Sequence, residues 1–187
     1  MPVKKVWLMK AFAEGNCSTR YFKDLNALDD DEFDALFQFI DDVTSGNALK
    51  GRNKPSWLDK KGKKLLHAKT YETCNVWHYH AGPFSQSAVP VTPNIRIENL
   101  GHNISNAVIH YTWLGKTQDE LIVLGFSPEH HKFPIPSSKN DPLRSRLRVA
   151  GRYSSSDLTS FGLEQPKLDI EIQSAPCDDD LDDQKAS

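Results

Sequence analysis

The chain has 187 residues, enough for one substantial hydrophobic core and too few for two independent ones, so a single domain is expected. No apolar run approaches the roughly 18 residues needed to cross a bilayer, and the opening stretch MPVKKVWLMKAFAEG lacks the long apolar region of a secretory signal. No membrane association and a cytoplasmic location are therefore predicted. Cys17, Cys74 and Cys177 are odd in number and widely spaced, with no CxxC pair, which points to neither a disulfide framework nor a zinc ribbon.

The net charge of −2 averages strongly segregated blocks. Asp24 to Asp42 holds eight acidic residues and no basic one, whereas Lys50 to Lys69 holds eight basic residues against the single acid Asp59. From Cys177 onward come five aspartates against Lys185, so the remainder of the chain carries about +2. The molecule is bipolar along its sequence.

In chain order, Val3 to Phe12 (VKKVWLMKAF) has the apolar content of a strand, with Met9, Lys10 and Ala11 blurring its alternation. Asp29 or Asp30 can cap the next element, a helix with an acidic first turn and Phe33, Leu36, Phe37, Ile40 and Val43 at helical spacing, stopped by Ser45, Gly46 and Asn47. Gly51 to Pro55 reads as a basic turn. Leu65 to Thr70 and Thr73 to His80 read as two strands. A long loop with three prolines follows from Gly82 to Ser105, and Asn106 to Leu114 and Glu120 to Phe126 resume as strands joined by GKTQD. Arg144, Arg146, Arg148 and Arg152 then form a basic segment, and the acidic tail from Cys177 to Ser187 is expected to be disordered.

The chemistry concentrates in the strands. Alternation places Trp77, Tyr79, Ile109, Tyr111 and Trp113 on one parity, able to cover the phenylalanine-rich helix, and leaves His78, His80 and His110 as a row on the opposite, exposed surface. His130, His131 and Lys132 stand where the last strand ends, a favoured position for functional groups on a rigid scaffold. Lys60, Lys61, Lys63 and Lys64 (KKGKK) attract phosphate without reading sequence. Imidazoles titrate near neutral pH, so such a row beside lysines suits RNA strand cleavage by the 2′-hydroxyl, a chemistry that requires no metal. The rival is a metal site of His78, His80 and His130 or His131. Neither HExxH nor a Cys/His quartet is present, and lysine-rich surroundings disfavour a cation, so no metal or other cofactor is expected.

In LDKKGKKLLHAKTYETCNVWHYHAG, NAVIHYTWL and DELIVLGFSPEHHKFP, and in the order of strand, acidic helix, basic turn and aromatic strands, the chain resembles the RelE/ParE superfamily of toxins from toxin–antitoxin systems, nearest to the RelE and HigB-type messenger-RNA endonucleases. The resemblance spans about Val3 to Pro136. It implies an α+β fold, a small antiparallel sheet with helices on one face and an RNA-binding concavity on the other. It divides the chain into a toxin domain at 1–136 with an inserted loop at 82–105, a C-terminal extension at 137–176 and the acidic tail at 177–187. It implies metal-independent cleavage of mRNA, usually on the ribosome, and silencing by a cognate antitoxin. Carried over by position, His78 or His80 and His130 or His131 become proton-transfer groups, and Lys60, Lys61, Lys63, Lys64 and Lys132 phosphate ligands. Histidines stand where family members commonly carry arginines. The alternatives are a non-enzymatic ParE-like inhibitor of DNA gyrase and a nucleic-acid- or protein-binding module on the same scaffold.

Overall fold

The alternating aromatic stretches form the centre of the fold. The structure is a computed structural model and describes residues 2–84, 92, 94–100, 103–130, 133–134, 138–149 and 152–161. His131, Lys132, residues 85–91, 93 and 101–102 of the 82–105 loop, and the acidic tail lie outside the described residues. The fold is α+β. Strands β1 (Lys5–Met9), β2 (Ser18–Thr19), β3 (Phe22–Lys23), β4 (Asn53–Pro55), β5 (Trp77–Gly82), β6 (Ala107–Leu114), β7 (Glu120–Ser127) and β8 (Leu158–Ser160) are joined with helices α1 (Lys10–Ala13), α2 (Asp30–Ser45) and α3 (Lys69–Thr73).

The sheet runs β2-β3-β7-β6-β5-β4, with β1 beside β7 and β8 beside β1. Pairing is antiparallel except between β1 and β7, which run parallel with Lys5 opposite Glu120 and Leu8 opposite Val123. A parallel pair needs a long crossover, and the chain between β1 and β7 supplies it. The sheet is thus larger than expected, because short strands at both ends and β8 from the C-terminal part extend the central meander.

Helix α2 begins where the acidic run predicts. Asp29 accepts the Glu32 amide while Glu32 accepts the Asp29 amide, a reciprocal capping box, and Gly46 ends the helix at φ 76°, a left-handed conformation that glycine adopts without a Cβ clash. Its buried side is Leu36, Phe39, Ile40 and Val43; Phe33 and Phe37, expected in the core, are each 41% exposed. Phe39 stacks on Tyr79 at 5.0 Å between centroids and meets Tyr111 at 5.7 Å. The aromatic parity of β5 and β6 therefore faces α2, as the alternation predicts.

Three expected elements differ. The first strand ends at Met9 and Lys10–Ala13 turn as a helix, because Lys10 and Ala11 break the period of two and favour helix. Gly51 to Pro55 is not only a turn: Asn53–Pro55 pairs with β5. Leu65 to Thr70 and Thr73 to Val76 are not strands but a 3-10 turn at Leu66–Ala68 and then α3, with Leu66 96% exposed and Ala68 and Tyr71 buried, a period that no sheet face provides.

The described part of 137–176 packs on the same core. Leu143 is fully buried, Tyr71 donates its hydroxyl to Asp141 at 3.1 Å, and the expected basic segment contributes a buried arginine: Arg146 pairs with Asp24 at 2.6 Å and donates to the Leu124 carbonyl at 3.0 Å.

Candidate active site

The sheet register places three polar side chains in one line. Lys54 on β4 pairs directly with His78 on β5, His78 with His110 on β6, and His110 with Gly125 on β7. All point away from α2, since the alternate positions of β5 and β6 carry the aromatic face and Asn53, beside Lys54, accepts the Tyr111 hydroxyl. At Gly125 a Cβ would stand 2.3 Å from the Phe22 ring, so glycine there lets Phe22 close that end of the row. Two residues along β5, His80 joins the same side.

His130 reaches the row from the turn after β7, where its amide donates to the Asn106 carbonyl at 2.9 Å. Its ring lies 4.8 Å from His78, 5.8 Å from His80 and 5.9 Å from His110 between centroids. His78 and His80 are 5.6 Å apart. Phe133 covers the group, 4.7 Å from His110. The structure thus brings together His78, His80, His110 and His130 from three elements far apart in sequence.

These rings do not form the exposed row expected from alternation. His78 and His80 are each 3% exposed and His110 1%. The cause is non-local: Ser56 to Ala68, with Phe133 and Pro134, cover this side of the sheet, which a period of two does not reveal. Beneath that cover the imidazoles line a pocket of about 340 Å³. Arg52, Lys54, Ser56 and His67 also line it, and Leu58, Leu65, Ala68, Tyr71, Ile104, Phe133 and Pro134 give it an apolar wall. Among the described lining residues there is no carboxylate.

Serines orient the rings. His78 Nδ1 meets Ser56 Oγ at 2.9 Å and His110 Nε2 meets Ser127 Oγ at 2.7 Å. His80 Nδ1 lies 2.8 Å from the Ser105 carbonyl oxygen and 3.1 Å from the Ser105 amide, donating to the first or accepting from the second according to its tautomer. His78 Nε2 and His110 Nδ1, both buried, meet no hydrogen-bond partner among the described residues. Burial, more than the neighbouring His130 and Lys54, holds His78 well below the ordinary imidazole value of 6.5. Burial, ahead of His130, His80 and Arg146, does the same to His110. Both rings are therefore neutral at physiological pH, each with one unprotonated ring nitrogen. Lys54, 8% exposed, donates to the carbonyls of Pro55 and Leu58; burial, then Arg52, brings its ammonium down to about 8.

The lysine turn lies beside this pocket, between the lining residues Leu58 and Leu65. Leu58 and Lys64 bridge across it, and Asp59 caps it by accepting the amides of Lys61 and Lys63 at 2.7 and 2.9 Å. Lys60, Lys61 and Lys63 are exposed, while Lys64, also exposed, pairs with Glu72. No protein-family model, curated protein or solved structure matches the chain. The site is therefore argued from its own groups.

Among the described residues no cluster of three or more His, Cys, Asp or Glu is arranged to hold a metal ion, and no helix is long and apolar enough to cross a membrane. Sequence reasoning missed Arg52, Lys54, Ser56, Phe133 and the covering role of Ser56 to Ala68. The one legible signal was the basic count from Lys50 onward, which already contained Arg52 and Lys54.

Proposed function

We propose that the protein is a metal-independent endoribonuclease of the toxin–antitoxin kind, cutting mRNA at the imidazole pocket and restrained in the cell by a cognate antitoxin. The observation that carries this reading is the pocket's inventory: His78, His80 and His110 gathered round the His130 ring, with Arg52 and Lys54 and, among the described lining residues, no carboxylate. Such a lining favours an anion, and a phosphodiester is the anion whose cleavage needs proton transfer and charge neutralisation together.

In this reading the neutral imidazole of His78 takes the 2′-hydroxyl proton as the oxygen bonds to the adjacent phosphorus. The P–O5′ bond breaks, and the leaving oxygen takes a proton from His130 or His131. Arg52 and Lys54 offset the charge gained by the phosphoryl oxygens. The products are a 2′,3′-cyclic phosphate and a 5′-hydroxyl, and Lys60, Lys61, Lys63, Lys64 and Lys132 hold flanking phosphates. The likeness to RelE and HigB-type toxins supports mRNA as the substrate and the ribosome as the place of cleavage.

Expression without an antitoxin is expected to arrest growth and yield transcripts with 5′-hydroxyl ends. Joint replacement of His78, His80, His130 and His131 by alanine relieves the arrest; equal toxicity of a folded quadruple variant overturns the assignment. A second reading, a binding module without turnover, is favoured by the burial of His78, His80 and His110 and their bonds to Ser56, Ser105 and Ser127, an arrangement that also serves a purely structural polar layer. RNA binding without cleavage selects it.

A further inference from the structure

The same pocket has two walls of unlike chemistry. One is the Lys54, His78 and His110 row; the other is Leu65, Ile104, Phe133 and Pro134. A bare phosphate needs only the first. We infer that the pocket takes a single unstacked nucleotide of a single strand, with its phosphate against the row and its base against the apolar wall. This rests on the reading of the pocket as an RNA site and adds which part of the RNA enters it.

Three further observations support the arrangement. His78 Nε2 and His110 Nδ1 are buried and meet no hydrogen-bond partner among the described residues, and leaving a buried polar atom so is costly unless a ligand meets it. Ser127 bonds His110 Nε2, and a hydroxyl can donate there, leaving an N–H on the open Nδ1 for a phosphate oxygen, while Ser56 can accept from His78 Nδ1 and leave Nε2 as the base. On the apolar side Ile104, which lines the pocket, is 43% exposed. It is a large side chain left partly in water at the pocket wall, where a base would cover it.

Size decides between strand and duplex. About 340 Å³ is near the lower end of ligand pockets, roughly 300–1,000 Å³. It admits one extruded nucleotide and no base pair. A duplex must therefore lose stacking and pairing before a phosphate reaches the row, whereas a single strand loses much less.

The test uses the full chain and calorimetric titration with uridine 3′-monophosphate, uridine and inorganic phosphate. Uridine 3′-monophosphate is expected to bind at least about tenfold more tightly than inorganic phosphate, and Ile104→Ala to remove most of that ratio while leaving phosphate affinity unchanged. Leu65→Ala repeats the readout should Ile104→Ala fold poorly. Equal affinity for nucleotide and phosphate, or binding of neither, overturns the inference. So does equal affinity for a 2′-O-methyl RNA strand alone and in a duplex. Cleavage is scored separately: nucleotide preference without cleavage keeps this inference and defeats the endonuclease, and cleavage of single and double strands alike does the reverse.

Discussion

His78 and His130 hold their ring centroids 4.8 Å apart, one from the middle of β5 and the other from the turn after β7. Such closeness makes a proton on either ring unfavourable for the other, adding to the burial that already keeps His78 neutral. The arrangement has a thermodynamic signature. In the unfolded chain these histidines titrate near 6.5, while in the folded protein His78 and His110 bind protons only well below that value. Between those values the unfolded state holds more protons, so stability is complete above about pH 6.5 and is lost as pH falls. Urea midpoints are expected to drop from pH 7.5 to 5.5, and His110→Gln to flatten the drop. A midpoint independent of pH in that range, in the unmodified protein, contradicts the buried neutral state.

Asp141 acts with the opposite sign. Burial pushes its carboxyl up from 3.8 to about 6, against the amide of Leu143 and the hydroxyl of Tyr71, which favour the charged form. A raised carboxyl gives stability that is full below about 3.8 and lost as pH rises through about 6. Asp141→Asn removes that loss. The variant is expected to gain on the unmodified protein as pH rises from 4 to 7, by on the order of 1–3 kcal/mol across the range. Paired denaturation curves at the two pH values measure it.

Arg146 and Asp24 pair at 2.6 Å with side-chain exposures of 7% and 3%. The pair ties the segment after Leu143 to the strand-bearing core, and Asp24 also accepts the Cys17 amide at 2.7 Å. Removing one partner leaves a buried charge uncompensated, at a cost of about 3–5 kcal/mol. Arg146→Met and Asp24→Asn are each expected to lower stability by that order, and the double variant by clearly less than their sum. Additive losses in urea denaturation indicate that the two side chains do not act as a pair.

The legible parts of this molecule were those set by local pattern. The capping box at Asp29 and Glu32, the stop at Gly46 and the inward rings of Tyr79 and Tyr111 all follow from spacings of two to four residues. The same alternation put His78, His80 and His110 on one side, and they share a pocket. Alternation assigns a face, however, and says nothing of what later covers it. Ser56 and Phe133 close over the histidines from outside the sheet, so burial replaces exposure, and Lys54 enters the row from a stretch expected as a turn. Phe33 and Phe37 failed for a related reason: a helix needs only one stripe against the sheet, and Phe39 occupies it.

The helix start offers a local control. Asp29→Ala removes the side chain that accepts the Glu32 amide and also its contact with Lys23 at 3.5 Å. The loss expected is small and comes from the cap rather than the ion pair, whose Asp29 side chain is 63% exposed. Thermal or urea denaturation checks it, and the pH-dependent term from His78 and His110 should be unchanged, since α2 lies on the other side of the sheet.

Salt separates the roles of the lysine turn and the pocket. Lys60, Lys61 and Lys63 are exposed, so any phosphate contact they make releases counterions, with a slope contribution of about 0.7 per contact for single strands. Lys64 is already paired with Glu72 and contributes less. Replacing Lys60, Lys61 and Lys63 together by glutamine is expected to lower the salt dependence of RNA affinity by about 2 in the log–log slope, with the cleavage rate at saturating RNA little changed. Lys54→Met is expected to do the opposite, slowing cleavage at saturation by tenfold or more, on the order of one misplaced proton-transfer or charge-stabilising group, while shifting the slope by less than about 1. Fluorescence anisotropy over a salt series and single-turnover cleavage read the two separately. If the triple lysine variant loses turnover while keeping the full salt slope, phosphate is held elsewhere and the turn has no part in binding.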